Sequence, residues 1–281
     1  MRVVDETEAD IRALIARDFG PTTPRAFHDD FIDWLHFKAR AIPTLPRTVI
    51  TSPEVVGRLG EYPAIINIRM TLKAGLDVSP WLSKTVRTAK TNAKVDMLFN
   101  DWQIMHFHLG QVMQTPRMVG RTKPLLFAHI AGSEATLIDV EPHGAWTELT
   151  LLQKLLRANP NAMPQFNMVT PNALTSQQLK NLRANRTNAL IDVDGKAIMP
   201  GGIMSSGHAM RILNYYQWFQ RQAEFLKKQF EADQVPAHLR PVIYARLGTP
   251  IRLGTWYDAG GLSLIDKNRN GLVLHQMRPL E

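Results

Sequence analysis

The run KPLLFAHIAGSEATLIDV, residues 123–140, decides the fold class. Two β-favouring halves, Lys123–Ile130 and Ala135–Val140, are separated only by Ala131-Gly132-Ser133-Glu134, a connection that suits antiparallel neighbours and is too short for a parallel crossover. A second unit of this kind, NALIDVDGKAIM at 188–199, carries Asp194-Gly195 at its tip, the residue types that accept positive φ in a tight hairpin turn. Three further short apolar runs, Ile251–Tyr257, Leu262–Ile265 and Leu272–Gln276, continue the pattern, the last two joined by the Asn- and Gly-bearing turn 266–271. Strands that arrive as hairpins, without alternating βαβ units, predict an α+β fold: an antiparallel sheet built from hairpins and packed against helices.

Working outward, residues 1–97 read as a helical region and 98–281 as the α+β region that holds the candidate site. Ile11, Leu14 and Ile15 recur at helical spacing before the breaker Gly20-Pro21, and Thr23-Pro24 has the form of a cap and first-turn proline opening a second helix. Ser52-Pro53-Glu54 repeats that form. In Pro63–Lys73 the apolar Ile65, Ile66, Ile68, Met70 and Leu72 are spread too evenly to mark one face, which predicts burial on several sides. Ser79-Pro80-Trp81 opens a helix bearing Lys84, Arg87, Lys90 and Lys94. Further helices are expected over Trp146–Arg157, Thr175–Arg186 and Ser205–Ala232. Three Leu-Ile-Asp triplets ending at Asp139, Asp192 and Asp266 lack a fixed period and read as hairpin strands ending in a turn-favouring aspartate.

The 281 residues carry 33 Lys and Arg against 25 Asp and Glu, a formal charge of +8, and no cysteine. Disulfides, thiolate metal ligands and cysteine nucleophiles are therefore excluded. No apolar run approaches the roughly 18 residues of a membrane span, and the acidic start (Asp5, Glu6, Glu8, Asp10, Asp18) is the opposite of a targeting peptide, so a cytoplasmic protein without a membrane partner is expected. Residues 1–40 hold eight acids and six bases, so the other 241 carry +10. That excess gathers in acid-poor blocks containing Lys84, Arg87, Arg117, Arg121 and Lys123, and then Lys180, Arg183 and Arg186. This is the footprint of phosphate contacts and points to nucleic acid, RNA before DNA.

Between those blocks lies NDWQIMHFHLG, residues 100–110. In an extended chain His106 and His108 share one face and Met105, Phe107 and Leu109 the other; in a helix the two imidazoles diverge. Three readings follow. The imidazoles, which titrate near neutrality, act as general base and acid on a phosphodiester, with His143 as a further candidate and Arg121 and Lys123 holding phosphate. Alternatively, they ligate zinc or another divalent ion with His129, His143 or Asp139. Or one packs in the sheet and the other is an ordinary polar residue. The first reading needs no metal or cofactor. Pro200–His208 places glycines and serines before a helix, where Ser206, His208 and Arg211 would meet phosphate, but it lacks the Walker pattern. There is no G-x-S-x-G elbow for a serine hydrolase. Tyr215, Tyr216, Trp218 and Phe219 suit core packing better than base stacking.

The order of helical region, His106-Phe107-His108, basic segment and the Leu125-Leu126-Phe127 hairpin resembles metal-independent ribonuclease toxins of the RelE and BrnT type over residues 100–145. The resemblance implies a compact antiparallel sheet with Arg, Lys and His on one face, in a much smaller protein. The combined expectation is a metal-independent endoribonuclease, a toxin or phage-defence effector with an inhibitory protein partner. A non-catalytic nucleic-acid-binding or assembly protein is the alternative, and a metal-dependent hydrolase the third reading.

Overall fold

The computed structural model describes all residues except 21–24, 84–95, 116–117, 143–147, 247, 259 and 281. The described chain begins with strand β1 (Val3–Asp5), helices α1 (Thr7–Phe19) and α2 (Phe27–Arg40), strand β2 (Thr48–Thr51), helices α3 (Pro53–Val56) and α4 (Ala64–Ala74), and a 3₁₀ turn at Ser79–Trp81. Helix α5 (Met97–Trp102) leads into strands β3 (Ile104–His108), β4 (Met113–Thr115), β5 (Met118–Val119), β6 (Pro124–Ala131) and β7 (Glu134–Pro142). There follow α6 (Glu148–Ala158), β8 (Gln165–Phe166), α7 (Ser176–Ala184), β9 (Ile191–Val193), β10 (Lys196–Ile198) and the long α8 (Met210–Glu231). Helix α9 (Arg240–Tyr244) and strands β11 (Ile251–Asp258), β12 (Gly261–Asp266) and β13 (Leu272–Gln276) complete it. The class is α+β, with antiparallel sheets against helices.

Packing divides the chain into two compact units, Met1–Lys38 with Ile212–Leu280, and Ala39–Arg211. This division does not follow the change of texture at residue 97. Texture reports local conformation, whereas a unit is defined by which segments bury each other's apolar surface. The two ends of the chain meet through β1, which pairs in parallel with β11.

In the central unit the sheet order is β2-β7-β6-β3. The hairpin expected at residues 123–140 forms its middle, β6 against β7, with β3 antiparallel on β6 and β2 parallel on β7. Alternation along the strands gives the sheet two buried faces. One collects Ile65, Ile68 and Leu72 of α4 with Phe107, Leu126, Ala128 and Leu137. The other collects Leu151, Leu152, Leu155 and Leu156 of α6 with Ile104, Leu125, Phe127 and Ile138. Helix α4 thus buries one stripe, and the expectation of burial on several sides fails: Ile66 and Met70 are exposed. Their apolar character misled because a helix presents residues 65, 68 and 72 together and 66 and 70 away from them.

Local signals hold elsewhere in this unit. Ser52 caps α3, its hydroxyl accepting from the Val55 N–H. Thr175 and Gln178 exchange backbone-to-side-chain hydrogen bonds at the start of α7, a reciprocal cap. Asp194 and Gly195 turn the β9–β10 hairpin at φ 54° and 79°. The helix expected from Ser205 begins only at Met210, because Ile203 bridges Ala209 and Gly207 sits at φ 83°, holding 203–209 in a closed loop. The helix expected after Trp81 lies from residue 84 onward outside the described residues, as do Thr23 and Pro24.

The terminal unit has sheet order β1-β11-β12-β13. Phe31 stands with its ring 5.2 Å from Phe219 and 5.6 Å from Tyr216, and Tyr215 is buried, so these aromatics build core. The acidic N-terminus finds its cations here. Glu6 pairs with Arg252 and Lys267, Asp10 with Lys267, and Asp18 with Lys38.

Candidate active site: the histidine pair on β3

Strand β3 settles the conformational question left open at residues 100–110. It is extended and pairs with β6 in the register His106 opposite Phe127 and His108 opposite Leu125. Met105, Phe107 and Leu109 enter the core on the α4 side, so His106 and His108 face the other way together. Their ring centroids are 6.4 Å apart and nearly perpendicular, at 86°. His106 keeps partial access to solvent, and its ring lies 6.2 Å from that of Phe127. His108 is buried.

Thr122 fixes His108. Its backbone N–H donates to Nδ1 of His108 at 3.3 Å, while its hydroxyl accepts from the Leu109 N–H at 2.9 Å and donates to the Pro124 carbonyl at 2.7 Å. An imidazole nitrogen that accepts carries no proton, so the neutral ring bears its hydrogen on Nε2. Arg121 and Lys123, both exposed, flank Thr122 in the chain and are thereby tied to the His108 end of the strand. Between Leu109 and Arg121 the chain runs out as the β4–β5 hairpin and returns where Gly110 meets the backbone of Gly120 so closely that neither a Cβ nor any larger group fits at residue 110.

The same face carries a second polar group two strands away. Asp139 lies across Phe127 from His106, and Glu141 lies across Leu125 from His108. Lys154 of α6 donates to both carboxylates, at 3.0 Å to Glu141. Burial alone would push the Lys154 ammonium down, but the bonds to Asp139 and Glu141 outweigh it and hold its pKa above the ordinary value. Asp139 is therefore an interior strand residue, and the expectation that it ends a strand at a turn is corrected; the register shift between Phe127 and Ala128 places it there. Ser52 braces the same irregularity, donating from its hydroxyl to the Ile138 carbonyl at 2.6 Å. His129, opposite Ile104, is buried, and burial draws its pKa down to about 4.

Of the residues singled out in the sequence, His106 and His108 are brought together on β3, while Arg121 and Lys123 are linked to them only as the chain neighbours of Thr122. Lys180 is exposed on α7, and Arg186, at φ 55° beyond that helix, donates to the Ser205 carbonyl. Arg183 lies on α7 and its side chain is not described; Lys84, Arg87, Arg117 and His143 lie outside the described residues. Among the described residues no group of three or more His, Asp or Glu side chains is placed to hold a metal ion. Sequence reasoning missed Thr122, the bond from the Ser52 hydroxyl to the Ile138 carbonyl and the Lys154 triad. The alternation of Asp139 and Glu141 along one strand face was a readable signal for part of the triad, while the partnership with Lys154 exists only through α6 packing. Among the described residues, no helix is long and apolar enough to cross a membrane. Comparison with protein-family models, with curated proteins and with solved structures finds no match.

Proposed function

We propose that the protein is a metal-independent endoribonuclease whose acid–base residue is His106. The observation that carries this reading is the pairing of His106 and His108 on one face of β3, with Arg121 and Lys123 joined to the same end of the strand through Thr122. His106 reaches solvent and can take the proton from a ribose 2′-hydroxyl. The 2′-oxygen then bonds to phosphorus, the bond to the 5′-oxygen breaks, and the products are a 2′,3′-cyclic phosphate and a 5′-hydroxyl that takes its proton from solvent. Arg121 and Lys123 hold the phosphate and offset its growing charge. His108, buried and anchored on Thr122, is a positioning residue that sets the His106 ring by edge-to-face packing. His143, directly after β7 in sequence, is a second candidate for the acid.

The resemblance of residues 100–145 to ribonuclease toxins supports the same chemistry. It also suggests a cytoplasmic toxin or phage-defence effector restrained by an inhibitory protein. The decisive experiment incubates purified wild-type, His106→Ala and His108→Ala proteins with RNA in the presence of a chelator and analyses the product ends. Cleavage by wild type that His106→Ala abolishes supports the proposal; wild-type activity retained in both variants sinks it. A burial and anchoring as complete as that of His108 also suits a non-catalytic nucleic-acid-binding protein. That second reading predicts salt-dependent RNA binding with no product. Activity that appears only with added zinc or manganese would instead point to a metal-dependent hydrolase.

A further inference from the structure

Between His108 and Thr122 the chain leaves the central sheet as an arm, out through β4 and back through β5, with Met113 opposite Val119 and Thr115 opposite Met118. The base of the arm is fixed. The Gly120 N–H donates to the Val112 carbonyl at 3.0 Å, Gly110 lies against the Gly120 backbone, and Val119 is buried beside the Ser79–Trp81 turn. Thr122 ties the returning chain to both His108 and Leu109.

Residues 111–115 are all exposed. A strand laid on a core hides alternate side chains; none of Met113, Gln114 and Thr115 is hidden, so both faces of β4 meet solvent. Two of the exposed side chains are apolar, Val112 at 75% and Met113 at 47% exposure, and covering them with a partner is favourable. The surrounding charge selects the partner. From Trp102 to Ser133 the sequence holds no Asp or Glu, while Arg117, Arg121 and Lys123 fall inside that stretch. Arg121 and Lys123 are exposed and directly follow the returning strand, and Glu141, across Leu125 from His108, is bonded to Lys154.

An arm that joins apolar side chains to cations and has no carboxylate of its own suits a polyanion with apolar faces better than a protein surface of mixed charge. Nucleic acid is such a polymer, but its base faces are open only where the bases are unpaired and unstacked. Methionine fits such faces, because its flexible thioether packs favourably on aromatic rings.

We propose that the β4–β5 arm is the substrate-recognition element of the histidine site: Val112 and Met113 pack on unpaired bases of single-stranded RNA, and Arg121 and Lys123 at the base of the arm take the adjoining phosphates. With RNA as the polymer, which rests on the ribonuclease reading, the preferred substrate is a single-stranded segment and not a continuous duplex.

The test uses the full chain carrying His106→Ala, so that RNA is bound without being cut, and measures fluorescence anisotropy with a short labelled single-stranded RNA and with the blunt duplex of the same sequence. The single strand is expected to bind more tightly. Adding Val112→Thr and Met113→Gln, which keep side-chain size, should weaken single-strand binding about 10-fold and duplex binding by less than about 2-fold. Lys123→Ala should weaken both and lower the salt dependence of each. The double substitution should leave the melting temperature unchanged, since neither side chain is covered by the protein. Equal affinity for single strand and duplex, undiminished single-strand binding after the double substitution, a lowered melting temperature, or no RNA binding at all overturns the proposal. So does a dimer in sedimentation that the double substitution turns into a monomer, which assigns the apolar pair to a second copy of the chain. The two readings fail separately. Wild type that binds RNA through the arm and never cuts it removes the ribonuclease reading and leaves the arm; cleavage indifferent to the double substitution removes the arm alone.

Discussion

The backbone N–H of Thr122 points at Nδ1 of His108 from 3.3 Å, so a turn residue outside any strand sets the tautomer of a histidine buried in the sheet. The same residue carries Arg121 and Lys123 on either side of it in the chain. Position, protonation pattern and local charge at this end of β3 therefore depend on one threonine.

Replacing Thr122 by Val removes the hydroxyl that the Leu109 N–H donates to and leaves that N–H without its acceptor. The expected cost is about 1–3 kcal/mol in denaturant unfolding, with RNA cleavage reduced in parallel. Unchanged stability would mean the hydroxyl does not hold the strand end.

The two histidines should differ in kinetics. His106→Ala is expected to lower kcat by about 10²–10⁴-fold, the usual contribution of an acid–base residue. His108→Ala should retain measurable turnover but shift the pH profile of kcat, because it repositions the ring that titrates. Identical losses with identical pH profiles in the two variants would contradict separate roles.

His129 makes stability sensitive to acid. Its folded pKa, about 4, lies below the 6.5 of the unfolded chain, so between these values the unfolded state binds more protons. The contribution is present above about pH 6.5 and is lost as pH falls toward 4, up to about 3 kcal/mol in all. His129→Leu should flatten urea-measured stability across that window. An unchanged slope between pH 6.5 and 4.5 would place the effect elsewhere.

Lys154 is the only cation bonded to Asp139 and Glu141 among the described residues. Lys154→Met leaves two carboxylates on a largely buried face and should cost about 3–5 kcal/mol. Combining it with Asp139→Leu is expected to recover part of that loss, which a double-mutant cycle on denaturation midpoints would read. Strict additivity would show that the triad is not a coupled unit.

In the terminal unit Asp18 accepts from Lys38 at 2.7 Å and from the Trp34 indole at 2.9 Å, and the Lys38 ammonium lies 4.5 Å from the centre of the Tyr257 ring. Burial pushes the Asp18 carboxyl up, but the bonds from Lys38, Arg17 and Trp34 win and hold its pKa below the ordinary value. Its contribution is thus present above the unfolded carboxylate pKa and is lost as pH falls through the lower, folded one. Asp18→Asn keeps the shape and loses the charge, so its melting temperature should fall at pH 7 and converge on that of wild type in strong acid. Equal melting at pH 7 would refute the pairing.

The hairpins at 123–140 and 188–199 were legible because their turn residues and alternation are local properties of the chain. The shared face of His106 and His108 followed from the period of an extended strand once β3 is known to be one. Strand β2 left no such trace. Thr48–Thr51 is only four residues long and is a strand because β7 lies beside it in parallel. The even spread of isoleucines in α4 likewise hid which stripe the sheet would cover.

By itself the sequence determined the antiparallel α+β class, the turns, and the concentration of positive charge around the histidines, because turn chemistry, strand period and charge are fixed residue by residue. Only the tertiary structure decided that β1 joins β11 from the opposite end of the chain, that Thr122 anchors His108, that Lys154 bridges Asp139 and Glu141, and that Arg211 stacks on Phe99. Those relationships join residues whose separation along the chain is set by no local preference, and they exist because burying apolar faces brings distant polar groups into a medium where each must find a partner or a ligand.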